Sequence, residues 1–309
     1  MKYSFKTVLS ILTLAGFAFL TIHSFDANYL GNSIKKIFQH PVLLAAVLIV
    51  YFLSFCLKAA AWKLYLNGKA HFSTCLIGIL YSLLINHLLP IKVGDLVRAK
   101  IASTREPMLK DDEAFHSVVV LRLLDMFCLV GIAMIGLWAL KVQFRFPLWL
   151  VMISSFISLL VLFTVHHYAP LFLNKHIQLF KKAFSGKKGL FIIACTFLSW
   201  LLEAGILYGT VMMLQGDLSF LASVFANSVT IAGQVLQITP GGIGNYESFL
   251  VFALTLFGFP VKEGYTIAVV THALKFVVSY IAGAVVLLLY PISFNTMKEW
   301  IKVRRVREK

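Results

Sequence analysis

The chain has 309 residues, of which 60% are hydrophobic and only 13% charged, and its mean hydropathy is +0.86. Soluble domains carry about 25% charged residues, so this composition excludes one, and the absence of alternating strand patterning excludes a membrane barrel. The net charge of +15 would suggest nucleic acid in a soluble protein. In an all-α polytopic membrane protein it reads instead as basic cytoplasmic loops and contact with anionic lipid.

Lys2 and Lys6 precede the apolar run Val8–Ile22, and His23-Ser24-Phe25-Asp26 follows where a cleavage site would need small residues; this is an uncleaved first span. Val42–Leu57 is the second, continuing toward Leu66. Phe72–Leu89 runs into Pro90, and residues 99–113 are polar and charged. Val118–Leu140 is a full span with Arg122 and Asp125 inside it, and Pro147–Val165 is another. Residues 166–189 are basic, with an amphipathic centre at Leu171–Phe184 that suits the membrane surface. Leu190–Leu214 spans and carries Glu203; Gly264–Tyr290 spans and carries His272 and Lys275; Lys298–Lys309 is a basic tail. The four cysteines, Cys56, Cys75, Cys128 and Cys195, lie apart in apolar segments and read as buried hydrophobes. Tyr51, Trp62, Trp149 and Trp200 read as anchors at the membrane interface.

Two stretches interrupt this pattern. Pro240-Gly241-Gly242-Ile243-Gly244-Asn245-Tyr246-Glu247 separates the apolar runs Leu221–Ile238 and Ser248–Phe257, each too short to cross a bilayer comfortably. Proline and three glycines break the helix. Lipid cannot satisfy the freed peptide groups, so the break must lie in protein or face a wet cavity. Gln234, Gln237 and Thr239 lead into it as cavity-facing residues would. The stretch Asn86…Pro90…Gly94-Asp95…Arg98 follows the same plan: an apolar run, a proline, a glycine four residues later, then a carboxylate.

Loop charge sets the orientation. Basic residues concentrate at the N-terminus, at Lys58/Lys63/Lys69, at Arg98/Lys100/Arg105/Lys110, in 175–188 and in the tail; the other connections hold only Lys35/Lys36, Lys141/Arg145 and Lys262. With the rich set in the cytoplasm, Phe72–Ile101 enters and leaves by the inner face and Leu221–Phe257 by the outer one. The expected architecture is one transmembrane domain of about six full spans and two re-entrant helical hairpins. Residues 1–146 and 147–309 then form an inverted repeat, a plan shared by many transporters.

A charge at the bilayer centre costs about 2.5–3.5 kcal/mol or more and faces a partner or a cavity. Arg122 and Asp125 share one helix face, His272 and Lys275 repeat the spacing, and the two pairs correspond under the repeat. Asp95, Arg98, Glu203 and Glu247 complete the set. The half-helix after Pro240-Gly241-Gly242 points N–H groups inward; with Arg98, Arg122 and Lys275 it makes an anion site suited to a phospholipid phosphate. No nucleotide loop, nucleophile elbow, metal motif or cofactor signature occurs, and neither catalytic nor metal residues are assigned. Anionic phospholipid is the expected partner; nucleic acid is not.

Asn86–Lys100, Arg122-Leu123-Leu124-Asp125, Trp200-Leu201-Leu202-Glu203 and Pro240–Glu247 together resemble, in order and over nearly the whole chain, the transmembrane region of lysylphosphatidylglycerol synthase. This is the flippase-like domain of the multiple peptide resistance factor, also found as standalone bacterial inner-membrane proteins. The resemblance implies movement of lipid or lipid-linked groups across the cytoplasmic membrane. Larger members carry a soluble aminoacyl-transfer domain that these 309 residues do not contain, so a transporter is expected rather than a synthase. The family often has arginine where Lys275 stands, and lysine lacks the bidentate fork for phosphate. The alternatives are a membrane-embedded glycosyl or aminoacyl transferase acting on a lipid-linked group, and an accessory membrane subunit. The first would need a donor site; the second would need no buried charge.

Overall fold

A computed structural model describes residues 5–89, 92–142, 184–234 and 239–292, and scattered positions from 160 to 181. All regular structure among these residues is helical. Most of the span expected at Pro147–Val165, most of the amphipathic Leu171–Phe184, the tail from Lys298, Trp149, Gln237 and Pro90 lie outside the described residues.

The first helix, α1 (Phe5–Ser24), contains the expected first span. Asp26 then caps α2 (Ala27–Phe38) by accepting from the Tyr29 N–H at 2.9 Å. Loop charge alone did not foretell this helix. It is amphipathic: Ser33 and Ile37 are buried, while Lys35 and Lys36 are exposed. Pro41 opens α3 (Pro41–Tyr65), its fixed φ suiting a first helical position. The hairpin α4 (Phe72–Leu88) and α5 (Gly94–Arg105) follows. Leu89, the residue before Pro90, is extended (φ −106°, ψ 148°), as the proline ring requires. Three acids in the first turn, Asp111, Asp112 and Glu113, favour the start of α6 (Asp111–Ala139), about two turns before its apolar run. Next come α7 (Gly186–Met213), α8 (Phe220–Gly233), a single 3₁₀ turn at Pro240–Gly242, α9 (Asn245–Thr255) and α10 (Val261–Leu289).

Among the described residues, the helices α3, α6, α7 and α10 are long and apolar enough to cross a membrane. Their 25 to 29 residues reach about 37–43 Å, beyond the ~30 Å hydrocarbon core. The 17 residues of α4 and 14 of α8 reach only about 25 and 21 Å, so each stops short of a crossing and its partner arm returns. The chain is a polytopic α-helical membrane protein.

Three packed seams set the arrangement. Helices α3 and α7 pack antiparallel, with Val47 against Gly209, Val50 against Gly205 and Asn67 hydrogen-bonded to Lys188. Gly205 and Gly209, four apart, let the backbones close up, the small-residue packing favoured where water supplies no hydrophobic drive. Helix α6 lies on α8, where a Cβ at Gly136 would stand 2.6 Å from Phe225; α10 lies on α4, where one at Gly283 would stand 2.7 Å from Leu84. One buried apolar cluster draws mainly on α3 to α6 and a second on α7 to α10.

Candidate functional site

The hairpin turns are built locally before they meet. In the first, the Asn86 carboxamide oxygen accepts the Gly94 N–H at 2.9 Å, so α4 supplies the cap that α5 needs. Gly94 is pressed so tightly on Ser82 that a Cβ would collide with its carbonyl oxygen. In the second, Gly241 (φ +63°), Gly242 (φ +78°) and Gly244 (φ +88°) turn the chain through left-handed backbone that only glycine adopts freely. Glu247 reaches back and accepts the Gly244 N–H at 2.6 Å, the reciprocal half of a capping box. That N–H, expected to serve an anion, is therefore taken by the chain's own carboxylate.

The two turns touch. The Lys92 ammonium, just past the first break, donates to the Gln234 carbonyl at the end of α8 at 2.6 Å, a cation on a helix C-terminus. The Phe276 ring sits between His87 and His272, 4.7 Å from each.

Three charged groups surround the junction. In the first, Asp95 receives Arg122 Nε at 2.7 Å and faces Arg98 Nε at 3.1 Å, while Asp125 lies 3.7 Å from Arg122. In the second, Glu203 on α7 stands between Lys58 of α3 at 2.9 Å and Lys275 of α10 at 3.3 Å; Lys275 also donates to Asn227 of α8 at 3.1 Å. In the third, His272 Nδ1 meets Glu247 at 2.6 Å and its Nε2 meets the Gly241 carbonyl at 3.1 Å, with Tyr246 stacked on the ring. Trp200 joins the first two groups, donating to Asp125 at 3.0 Å while Lys58 sits 3.5 Å over its ring.

A cavity of about 160 Å³ lies between these groups. Of the candidate site and cavity-facing residues read from sequence, Asn86, Arg98, Arg122, Asp125, Glu203, Gln234, Gly241, His272 and Lys275 line it. Asp95 and Glu247 stand behind the wall as partners of Arg122 and His272, and Gly94, Pro240, Gly242 and Gly244 shape the turns without lining it. Arg98 is 7% exposed, and its Nε and Nη2 have no hydrogen-bond partner. The Tyr246 hydroxyl on the same wall is also unpartnered.

Sequence reasoning missed several lining residues. Lys58 was assigned to a basic cytoplasmic loop, but α3 continues through it to Tyr65 and carries its ammonium to Glu203. The signal was present: Ala59-Ala60-Ala61 keep the helix going, so a lysine there stays within the span. Tyr51, Trp62 and Trp200 are not interface anchors; they are 2%, 0% and 3% exposed, packed where the polar ends of Trp62 and Trp200 find partners. Lys92 and His87 also line the cavity. All four cysteines are free.

These features define a class: a multi-pass helical membrane protein with a charged, mainly cationic cavity where two helix breaks meet. The family model for the lysylphosphatidylglycerol synthase TM region matches residues 7–283, and the chain belongs to that family. No curated protein and no solved structure matches it. The family places the chain in membrane-lipid biology.

Proposed function

We propose that the protein is a lipid translocase of the bacterial cytoplasmic membrane, with both termini in the cytoplasm. It passes the polar headgroup of an anionic phospholipid, modified phospholipid or lipid-linked group between leaflets while the acyl chains stay in lipid. The observation that carries this reading is the lining of the cavity. Five cations, Lys58, Lys92, Arg98, Arg122 and Lys275, face it against two carboxylates, Asp125 and Glu203. An uncompensated cation at membrane depth is costly, so a surplus calls for an anion to arrive. Arg98 Nη2 holds a free N–H donor for it.

The two halves act as an inverted repeat that rocks about this site. Three packing features support that: α3 lies antiparallel to its counterpart α7, α6 rests on the first arm of the second hairpin, and α10 rests on the first arm of the first. Headgroup passage requires the Lys92–Gln234 contact between the turns to open.

The test is the purified chain in liposomes with a headgroup-labelled anionic lipid, its exchange followed by dithionite quenching. Exchange above empty liposomes is expected. No exchange for several lipid classes, with and without a proton gradient, contradicts transport. Recovery of a chemically altered lipid would establish the transferase reading instead.

A further inference from the structure

The cavity's charges can be counted because each side chain has a definite partner. Its five cations are balanced by three carboxylates: Asp95 and Asp125 in the group with Arg98 and Arg122, and Glu203 between Lys58 and Lys275. The fourth carboxylate, Glu247, does not enter the count. His272 Nε2 faces a carbonyl oxygen, so it carries a hydrogen; Nδ1 then meets the Glu247 oxygen at 2.6 Å, a contact that holds one proton between them. Wherever that proton sits, the pair is neutral overall. His87 donates through Nδ1 to the Leu83 carbonyl at 2.8 Å and is counted as a neutral ring. Five cations against three carboxylates leave two positive charges.

The surplus is divided between two places. Lys58 and Lys275 share the single carboxylate of Glu203, which leaves one charge on that side. Lys92, Arg98 and Arg122 share Asp95 and Asp125, which leaves one on the other, where Arg98 shows its unpartnered Nη2. Trp200 stands between the two groups. We propose that the cavity is matched to a lipid anion bearing two negative charges, a diphosphate diester or a pair of phosphodiesters, rather than to a phospholipid with a single phosphodiester. A singly charged headgroup would leave one buried cation uncompensated in a low-dielectric site, where the interaction between charges is strong. This deepens the transport reading by naming its substrate class, and it rests on that reading only for the role of the cavity.

The experiment is competitive lipid binding to the purified full chain in detergent, read by native mass spectrometry. Phosphatidylglycerol is set against a polyprenyl-diphosphate-linked sugar, a diphosphate diester with its two charges adjacent, and against cardiolipin, with its charges on separate phosphates. At least one of the doubly charged lipids is expected to be retained about tenfold or more over phosphatidylglycerol. Which of them wins reports how far apart the two charges must be, and either result supports the proposal. Lys58→Gln lowers the surplus to one charge and should bring the preference close to unity. Lys58→Gln combined with Glu203→Gln restores the surplus and should restore the preference, which a purely structural role for Lys58 does not predict. Lys92→Gln, at the turn rather than in the packed helices, lowers the surplus in the same way should Lys58→Gln fold poorly. Equal retention of all three lipids by the wild type, or an unchanged preference in both single variants, would overturn the proposal. Exchange in liposomes without charge preference leaves transport standing and removes this inference; charge preference without exchange does the reverse.

Discussion

At the scale of single residues, the placement of each buried charge follows from what its helix can reach. Asp95 and Arg98 share a face of α5 three residues apart, and Arg122 of α6 meets the same carboxylate. Glu247 and His272 are held by a backbone N–H at one end and a backbone carbonyl at the other, so the proton between them is fixed in place by the second turn. Glu247→Gln keeps the acceptor for the Gly244 N–H and places an amide donor on His272 Nδ1, but removes that proton. The variant should fold, shown by an unchanged elution profile and melting midpoint, while its exchange rate falls. An exchange rate like the wild type would make the pair a packing device. The charged types and their clustering were readable in sequence because charge in an apolar run is conspicuous. Their partners were not. Glu203 with Lys58 joins residues 145 apart, and Trp200 with Asp125 joins residues 75 apart. Such pairings depend on how helices stack, which local pattern does not encode.

At the scale of elements, most helices were legible because apolar runs and breakers act locally; Pro90 and the Pro240–Gly244 cluster stop helices wherever they stand. Boundaries were less so. Helices α6, α7 and α10 begin three to seven residues ahead of their apolar runs, since a helix continues into headgroups and water where hydropathy falls. The α3–α7 seam gives a direct stability test. Gly209→Leu drives a side chain into Val47 and should destabilise the protein by about 1–3 kcal/mol, read as a lower melting midpoint in detergent. Gly131→Ala in α6, with nothing within 4 Å, should be neutral or slightly stabilising.

The base of the first hairpin carries a pH-dependent clamp. Glu106, after α5, accepts the His71 backbone N–H at 3.0 Å and faces its ring at 3.1 Å, tying the two ends of the hairpin together. Burial alone would raise the Glu106 carboxyl, but hydrogen bonds from Thr74 and His71 outweigh it and hold the pKa below its ordinary 4.5. A carboxylate lowered by folding stabilises the protein above its unfolded value and loses that contribution as pH falls through the folded one. Thermal midpoints should therefore drop below about pH 4.5 in the wild type. In Glu106→Gln the midpoint should be lower at pH 7 and the acid drop shallower. An identical acid limb in both would remove Glu106 from the account.

At the scale of the whole molecule, the claim is that two oppositely oriented halves meet at the breaks. The charge asymmetry of the loops persists without Lys58 and Arg98, which line the cavity, because Lys63 and Lys69 remain at the end of α3, where Lys69 bridges Glu113 at 2.7 Å, and Lys100, Arg105 and Lys110 follow the first hairpin. Single cysteines at positions 105, 216 and 262, in a background lacking the four native ones, test the orientation. An impermeant thiol reagent added outside should label 216 and 262 and spare 105. Labelling at 105 with none at 262 would reverse the arrangement.

The central claim is that the cationic cavity carries the headgroup across. The most direct measurement is the initial rate of dithionite-accessible lipid exchange in liposomes holding either the wild type or Arg122→Ala at equal incorporation. Arg122 links Asp95 to Asp125 and lines the cavity, so removing it takes away a cation the headgroup needs and leaves both carboxylates behind. The account predicts exchange by the wild type and a rate at least about tenfold lower in the variant, about 1.4 kcal/mol at the limiting step. Equal rates in the two, with the variant folded, would contradict it.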